Sequence, residues 1–183
     1  MLTVWLSFFI LCTTVAATTN PPWQNPEYET MQNITNVIGE GYTTYFVYEG
    51  TFVQDVLIGK HVFCLIMRTT GLFGEEVVAY RKYQEQVGQT QEEMNLYLTP
   101  KRDSGYDVDN YMKVVEDEYQ EEVAQMHLVY TDYSTCALFY YDGKDEYELW
   151  LYQKPNGVAS SCELLLALLS DKTRNVHYTN DCS

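Results

Sequence analysis

The residues of this chain with the clearest chemical potential are carboxylates and cysteines. In the run Glu146–Tyr152, alternation places Glu146, Glu148, Trp150 and Tyr152 on one face, and Tyr147, Leu149 and Leu151 on the other. An acid beside a tryptophan on an inward strand face must stay wet, become protonated or meet a cation, because burying it unpaired is costly. An organic ammonium would suit such a place, its charge meeting the acid and its ring stacking on the aromatics. A tyrosine or arginine of the protein itself would serve as well. Catalysis has weaker support. The chain holds no GxSxG, HExxH, phosphate-loop or dinucleotide motif. Its three histidines, His61, His127 and His177, are scattered. Paired acids such as Glu75-Glu76 and Glu121-Glu122 are adjacent, so on a strand they would face opposite sides. A binding protein with no cofactor and no metal is expected, rather than an enzyme.

The cysteines say where such a protein would work. Met1–Ala17 is an apolar run ending in Val15-Ala16-Ala17, which reads as a cleaved secretory signal and leaves residues 18–183 as one domain. Cys12 leaves with the signal, so Cys64, Cys136, Cys162 and Cys182 remain. Four cysteines in a secreted chain imply two disulfides, with three possible connectivities. No pair has CxxC spacing, which argues against a zinc site. Asn33-Ile34-Thr35 is a glycosylation sequon. The net charge of −15 opposes nucleic acid and acidic membranes as partners, and favours cationic ones.

The elements that would position these residues are mostly strands. Asn25-Pro26 opens a short helical pattern with Tyr28, Met31, Thr35 and Ile38 on one face and Asn33 on the opposite one, ended by Gly39 and Gly41. Eight β-type runs follow: Thr43–Phe52, His61–Thr69, Val77–Gln84, Glu92–Thr99, Tyr106–Val115, Val123–Asp132, Cys136–Tyr141 and Glu146–Gln153. Seventeen tyrosines suit half-buried pleated surfaces, and Asp142-Gly143 is a hairpin turn between the last two runs. Ser160, with Glu163 three residues on, forms a capping-box pattern before the apolar Leu164–Leu169. The chain closes with an extended Asn175–Tyr178 segment. This order predicts an all-β, eight-stranded antiparallel up-and-down barrel, with an N-terminal helix and a C-terminal helix packed on it. The lysines and arginines, including Arg68, Arg81, Lys82, Lys101 and Arg102, read as strand-end or loop residues.

At Cys136-Ala137-Leu138, Glu148-Leu149-Trp150 and Cys162, the sequence resembles the tick salivary lipocalins, the histamine-binding branch in particular. The likeness continues through Val158–Cys162 and Arg174–Cys182, and includes Asp55 and Gly59 ahead of Cys64. The resemblance implies Cys64–Cys182 and Cys136–Cys162 disulfides. It implies that Asp55 and Glu148 line an amine pocket, with Phe52 where a tyrosine is common and Trp150 on the Glu148 face. It puts Gln125 and His127 near pocket positions, and Glu92 and Glu93 as further candidate acids. Ala137 departs from the family, whose amine binders carry an aspartate there, so one amine site is expected rather than two.

The function implied is sequestration of a host mediator by a secreted monomer, with histamine or serotonin foremost. Two alternatives remain. A lipid mediator or sterol, such as a leukotriene, thromboxane or cholesterol, would use the room and neutrality of Ala137. A host defence protein could be bound through the loops.

Overall fold

The computed structural model describes residues 21–182. The Met1–Ala17 run, expected to be a secretory signal, lies outside them. Eight antiparallel strands follow one another around a barrel: β1 (Tyr42–Gly50), β2 (Phe63–Phe73), β3 (Glu76–Gln84), β4 (Glu92–Lys101), β5 (Tyr111–Glu116), β6 (Glu121–Thr131), β7 (Cys136–Tyr141) and β8 (Glu146–Leu151). Each pairs with the next. β1 then pairs with both β8 and β2, closing the ring and removing the free edge that an open sheet would expose. Alternate residues of every strand enter one apolar interior that includes Val77, Ala79, Leu96, Leu98, Met112, Val114 and Phe139.

The ring is not uniform. β1 and β2 pair from Tyr42–Phe46 to Ile66–Thr70 and diverge beyond. The C-terminal segment fills that gap. β9 (Asn175–Val176) pairs with Glu49 and Gly50. The His177 N–H then donates to Tyr48 O at 2.8 Å, and Leu65 N–H donates to His177 O at 3.3 Å. The Cys64–Cys182 disulfide anchors this segment beside β2. α2 (Ser161–Leu169) begins at the capping box expected from Ser160 and Glu163, and is bonded to β7 through Cys136–Cys162. It buries Cys162 and Leu166 against Leu138, Leu149 and Leu151, the outward residues of β7 and β8. Both disulfides therefore have the pairing that the resemblance implies.

Two details differ from the sequence expectations, although the N-terminal helical region lies where expected. The single N-terminal helix is two pieces: a 3₁₀ segment, Pro26–Met31, and a four-residue α1 (Thr35–Ile38). The buried residues here are Ile34, Val37 and Ile38, whereas Tyr28 is largely exposed. Gln32 causes the break, since its buried side chain donates to Val129 O of β6 at 2.9 Å and turns the chain towards the barrel. Asn33 consequently lies between the pieces, half-buried, with its N–H donating to the Tyr133 hydroxyl at 3.0 Å. Likewise Tyr106–Asn110 does not extend β5. It belongs to a loop braced by Asn110, which exchanges side-chain and backbone bonds with Asp103 at 2.8 and 3.0 Å. One end of the barrel is thus closed by α1 and this loop. The opposite end is roofed by the β1–β2 loop, residues 51–62. A glycine is obligatory where β2 meets the closed end: Gly71 has φ +87°, and a Cβ there would lie 2.7 Å from the Gly41 Cα.

Candidate ligand-binding site

Strand pleating turns Glu148 and Trp150 into the barrel and leaves Tyr147, Leu149 and Leu151 under α2. Glu148 lies opposite Gly50 of β1 and Phe139 of β7, just below the roof loop. Asp55 comes down from that loop. Its backbone N–H donates to Lys60 O, its own carbonyl accepts from Gly59 N–H, and both bonds are 2.8 Å. Its Oδ1 accepts from the N–H groups of Leu57 at 3.0 Å and Ile58 at 2.9 Å, so the loop itself aims the other oxygen inward.

Between the two acids lies Arg81. It is central in β3, shares the inward face of Val77, Ala79 and Tyr83, and is fully buried. The reading of Arg81 as a strand-end or loop residue is therefore corrected. Its Nε donates to Asp55 Oδ2 at 3.1 Å, and its Nη2 donates to the same oxygen. On the other side Nη1 donates to Glu148 Oε1 at 3.0 Å, and Nη2 to Glu148 Oε2 at 2.7 Å. The Glu148 contact is a fork-to-fork pair and the Asp55 contact puts two donors on one oxygen, both charge-assisted and so stronger than neutral hydrogen bonds. Burial opposes the charge on Arg81. Asp55 and Glu148 more than offset this, holding its pKa well above the ordinary range.

Glu148 has two more donors, the Tyr141 hydroxyl at 2.8 Å and the Trp150 indole N–H. Burial first, and then the Glu148 charge, push the Tyr141 hydroxyl pKa far up, so it stays a donor. Phe52 lies edge-on to Tyr141 at 6.2 Å and is stacked on His177 at 4.7 Å. Burial lowers the His177 pKa, and its Nε2 has no hydrogen-bond partner among the described residues. All four residues expected at the site, Asp55, Glu148, Trp150 and Phe52, are thus brought together. Sequence reasoning missed Arg81, Tyr141 and His177. The period-2 pattern of β3 was a signal for Arg81, since an arginine on an otherwise apolar face requires acids opposite it.

Away from the charges the interior is aromatic. Trp150 packs on Phe139 at 4.3 Å and on Tyr45 at 5.1 Å, and Tyr45 packs on Tyr152 at 5.0 Å. Ala137 lies opposite Trp150, in the same buried layer. The Thr69 hydroxyl, two register steps from the Tyr45–Met67 pair, is buried without a hydrogen-bond partner among the described residues. At the open rim, a cavity of about 360 Å³ is lined by Leu57, Ile58, Tyr83, Met94, Glu93 and Asp117, among others. Glu92 accepts from the Tyr83 hydroxyl at 3.0 Å, and Glu93 pairs with Lys82 at 2.6 Å. Gln125 and His127 are not in the interior. Gln125 bonds Glu122 at 2.7 Å on the outer surface. His127 is buried under the closed-end loop, stacked on Tyr111.

Over residues 23–183 the chain matches the family described as tick histamine binding protein. The chain belongs to that family. No curated protein matches it by sequence. Three solved structures share its lipocalin barrel at low identity. One is AM182 in complex with serotonin, 13% identical, covering 90% of this chain and 98% of that one, with a TM-score of 0.56. Another is japanin from Rhipicephalus appendiculatus bound to cholesterol, 11% identical, covering 73% and 90%, with a TM-score of 0.54. The third is LTBP1 in complex with LTC4, 14% identical, covering 82% and 87%, with a TM-score of 0.52.

Proposed function

We propose that this member of the tick histamine binding protein family is a secreted monomer that sequesters a small, neutral, apolar host mediator inside its barrel, without catalysis. Membership of the family and the closed barrel support small-ligand binding. The ligand class rests on one observation: both acids of the implied amine pocket are already paired with Arg81. A free amine would have to displace a guanidinium that makes four hydrogen bonds to those acids. What the interior offers instead is an uncharged aromatic wall of Trp150, Tyr45 and Phe139, the small side chain of Ala137 opposite Trp150, and a Thr69 hydroxyl without a hydrogen-bond partner among the described residues, available to one polar group of a ligand. The cholesterol-bound barrel is similar in fold, which makes a neutral lipid compatible with this architecture.

Secretion is supported by the two disulfides, which persist in oxidising compartments, and by the apolar Met1–Ala17 run. Among the described residues no helix is long and apolar enough to cross a membrane. The proposal includes a glycan on Asn33, to be checked by peptide mapping of protein from a eukaryotic secretory host.

Calorimetry with histamine, serotonin and cholesterol tests the ligand class. Cholesterol is expected to bind at sub-micromolar concentration, and neither amine below about 100 μM. Sub-micromolar binding of an amine, with no uptake of cholesterol, would overturn the neutral-ligand reading.

A further inference from the structure

We infer that Arg81 is the specificity-determining residue of the barrel: a tethered cation that fills a preformed site for a guanidinium or ammonium ligand and so excludes free amines. The inference rests on the neutral-ligand reading above and names its cause.

What else holds the acids separates a filled ligand site from a structural ion pair. In an ordinary internal ion pair, each partner is positioned mainly by the other. Here each carboxylate has its own anchors. Asp55 is oriented by two backbone N–H groups and by the turn that runs from its own N–H to Lys60. Glu148 is oriented by Tyr141 and Trp150. Neither set involves Arg81. The acids come from opposite sides of the barrel, β8 and the roof loop, and converge on one guanidinium from the third side, β3. Removing the arginine side chain would leave two preoriented carboxylates facing a void as large as the lost group, walled by the rings of Trp150, Tyr141 and Phe52.

Charge points the same way. Both carboxylates reach a cation at one place only, and the Arg81 guanidinium occupies it. β3 is paired on both sides, with Met67 of β2 and Met94 of β4 flanking Arg81, which fixes the tether. A covalently tethered competitor acts at a high effective concentration, against which a dissolved amine must compete.

The experiment titrates methylguanidine and histamine into wild-type protein, Arg81→Ala and Arg81→Gln by calorimetry at pH 7. Both variants should bind methylguanidine at least about thirtyfold more tightly than wild type, the size expected for pairing a buried charge. Adding Glu148→Gln to Arg81→Ala should abolish the gain. A merely structural ion pair would lower the melting temperature on loss of Arg81 but confer no binding. If Arg81→Ala does not fold alone, methylguanidine should restore its native circular dichroism. If it does not, the result for Arg81→Gln decides. Folded variants that bind methylguanidine no better than wild type would overturn the inference, as would equal binding by wild type. Cholesterol binding by wild type, measured in parallel, bears on the neutral-ligand reading alone.

Discussion

The two ends of the barrel are held by different chemistry. The buried part of the closed end uses amides, hydroxyls and backbone groups, and its carboxylates, Asp103 and Asp109, lie in the partly exposed loop. Gln32 donates to Val129 O and accepts from the Tyr106 hydroxyl, Ile34 N–H donates to Asp109 O, and the Tyr45 hydroxyl donates to Val37 O. The roofed end uses ionised side chains, Asp55, Arg81 and Glu148, and a disulfide that clamps the C-terminal segment. Neutral bonds seal without penalising any particular ligand charge. Buried ions cost much to desolvate and are worth keeping only where a choice between charges is being made. On the proposed reading the closed end only seals the barrel, and the charge selectivity lies at the roofed end.

The largest effect should come from breaking the charged cluster. Arg81→Ala should lower the free energy of unfolding in urea by about 3–5 kcal/mol, because two acids are left buried without a counter-ion. Combining it with Asp55→Asn and Glu148→Gln should recover much of that loss. A triple variant no better than the single one would show that the cluster is held by shape rather than by charge.

Next in size is the covalent clamp. Replacing Cys64 and Cys182 by serine should cost about 2–5 kcal/mol. It should also speed hydrogen exchange at the Leu65 and His177 amides, which join the C-terminal segment to β2 and β1. Protection at α2 should be unchanged, since its own bridge to β7 remains.

At the closed end, Gln32→Ala should cost about 1–3 kcal/mol by leaving Val129 O and the Tyr106 hydroxyl without this partner. The cost should be the same in low and high salt. A strongly salt-dependent loss would mean that the two ends are not chemically distinct.

The smallest effect is a pH slope. Burial lowers the pKa of His177 and of His127 below the ordinary 6.5. The folded state then binds fewer protons than the unfolded chain, so this contribution is complete above pH 6.5 and is lost as pH falls below it. His177→Gln should flatten part of the slope in urea midpoints between pH 7 and pH 5, and His127→Gln the rest.

How far the sequence revealed all this depends on the range of each contact. β7 and the start of β8 follow from local alternation, and the capping box of α2 spans only Ser160–Glu163. The break in the N-terminal helix was not legible because the helical spacing of Tyr28, Met31 and Thr35 carries no sign that Gln32 will bond to Val129, 97 positions away. Tyr106–Asn110 looked like strand for a similar reason, its loop being defined by bonds to Asp103 and to β6 rather than by composition. Asp55 and Glu148 were recognisable through family likeness, but their partner was not. Arg81 is 26 residues from one and 67 from the other, and nothing local says which acids an inward arginine will meet. The fold was legible because β patterning is local. The charge state of the site was not, because it is set by three distant elements.

The most direct test of the central claim is a calorimetric titration of wild-type protein with histamine at pH 7, beside the same titration of Arg81→Gln. With Arg81 holding both acids, wild type should show no binding below about 100 μM, and the variant should bind at least about thirtyfold more tightly. Tight histamine binding by wild type, undiminished or unimproved when Arg81 is replaced, would contradict it.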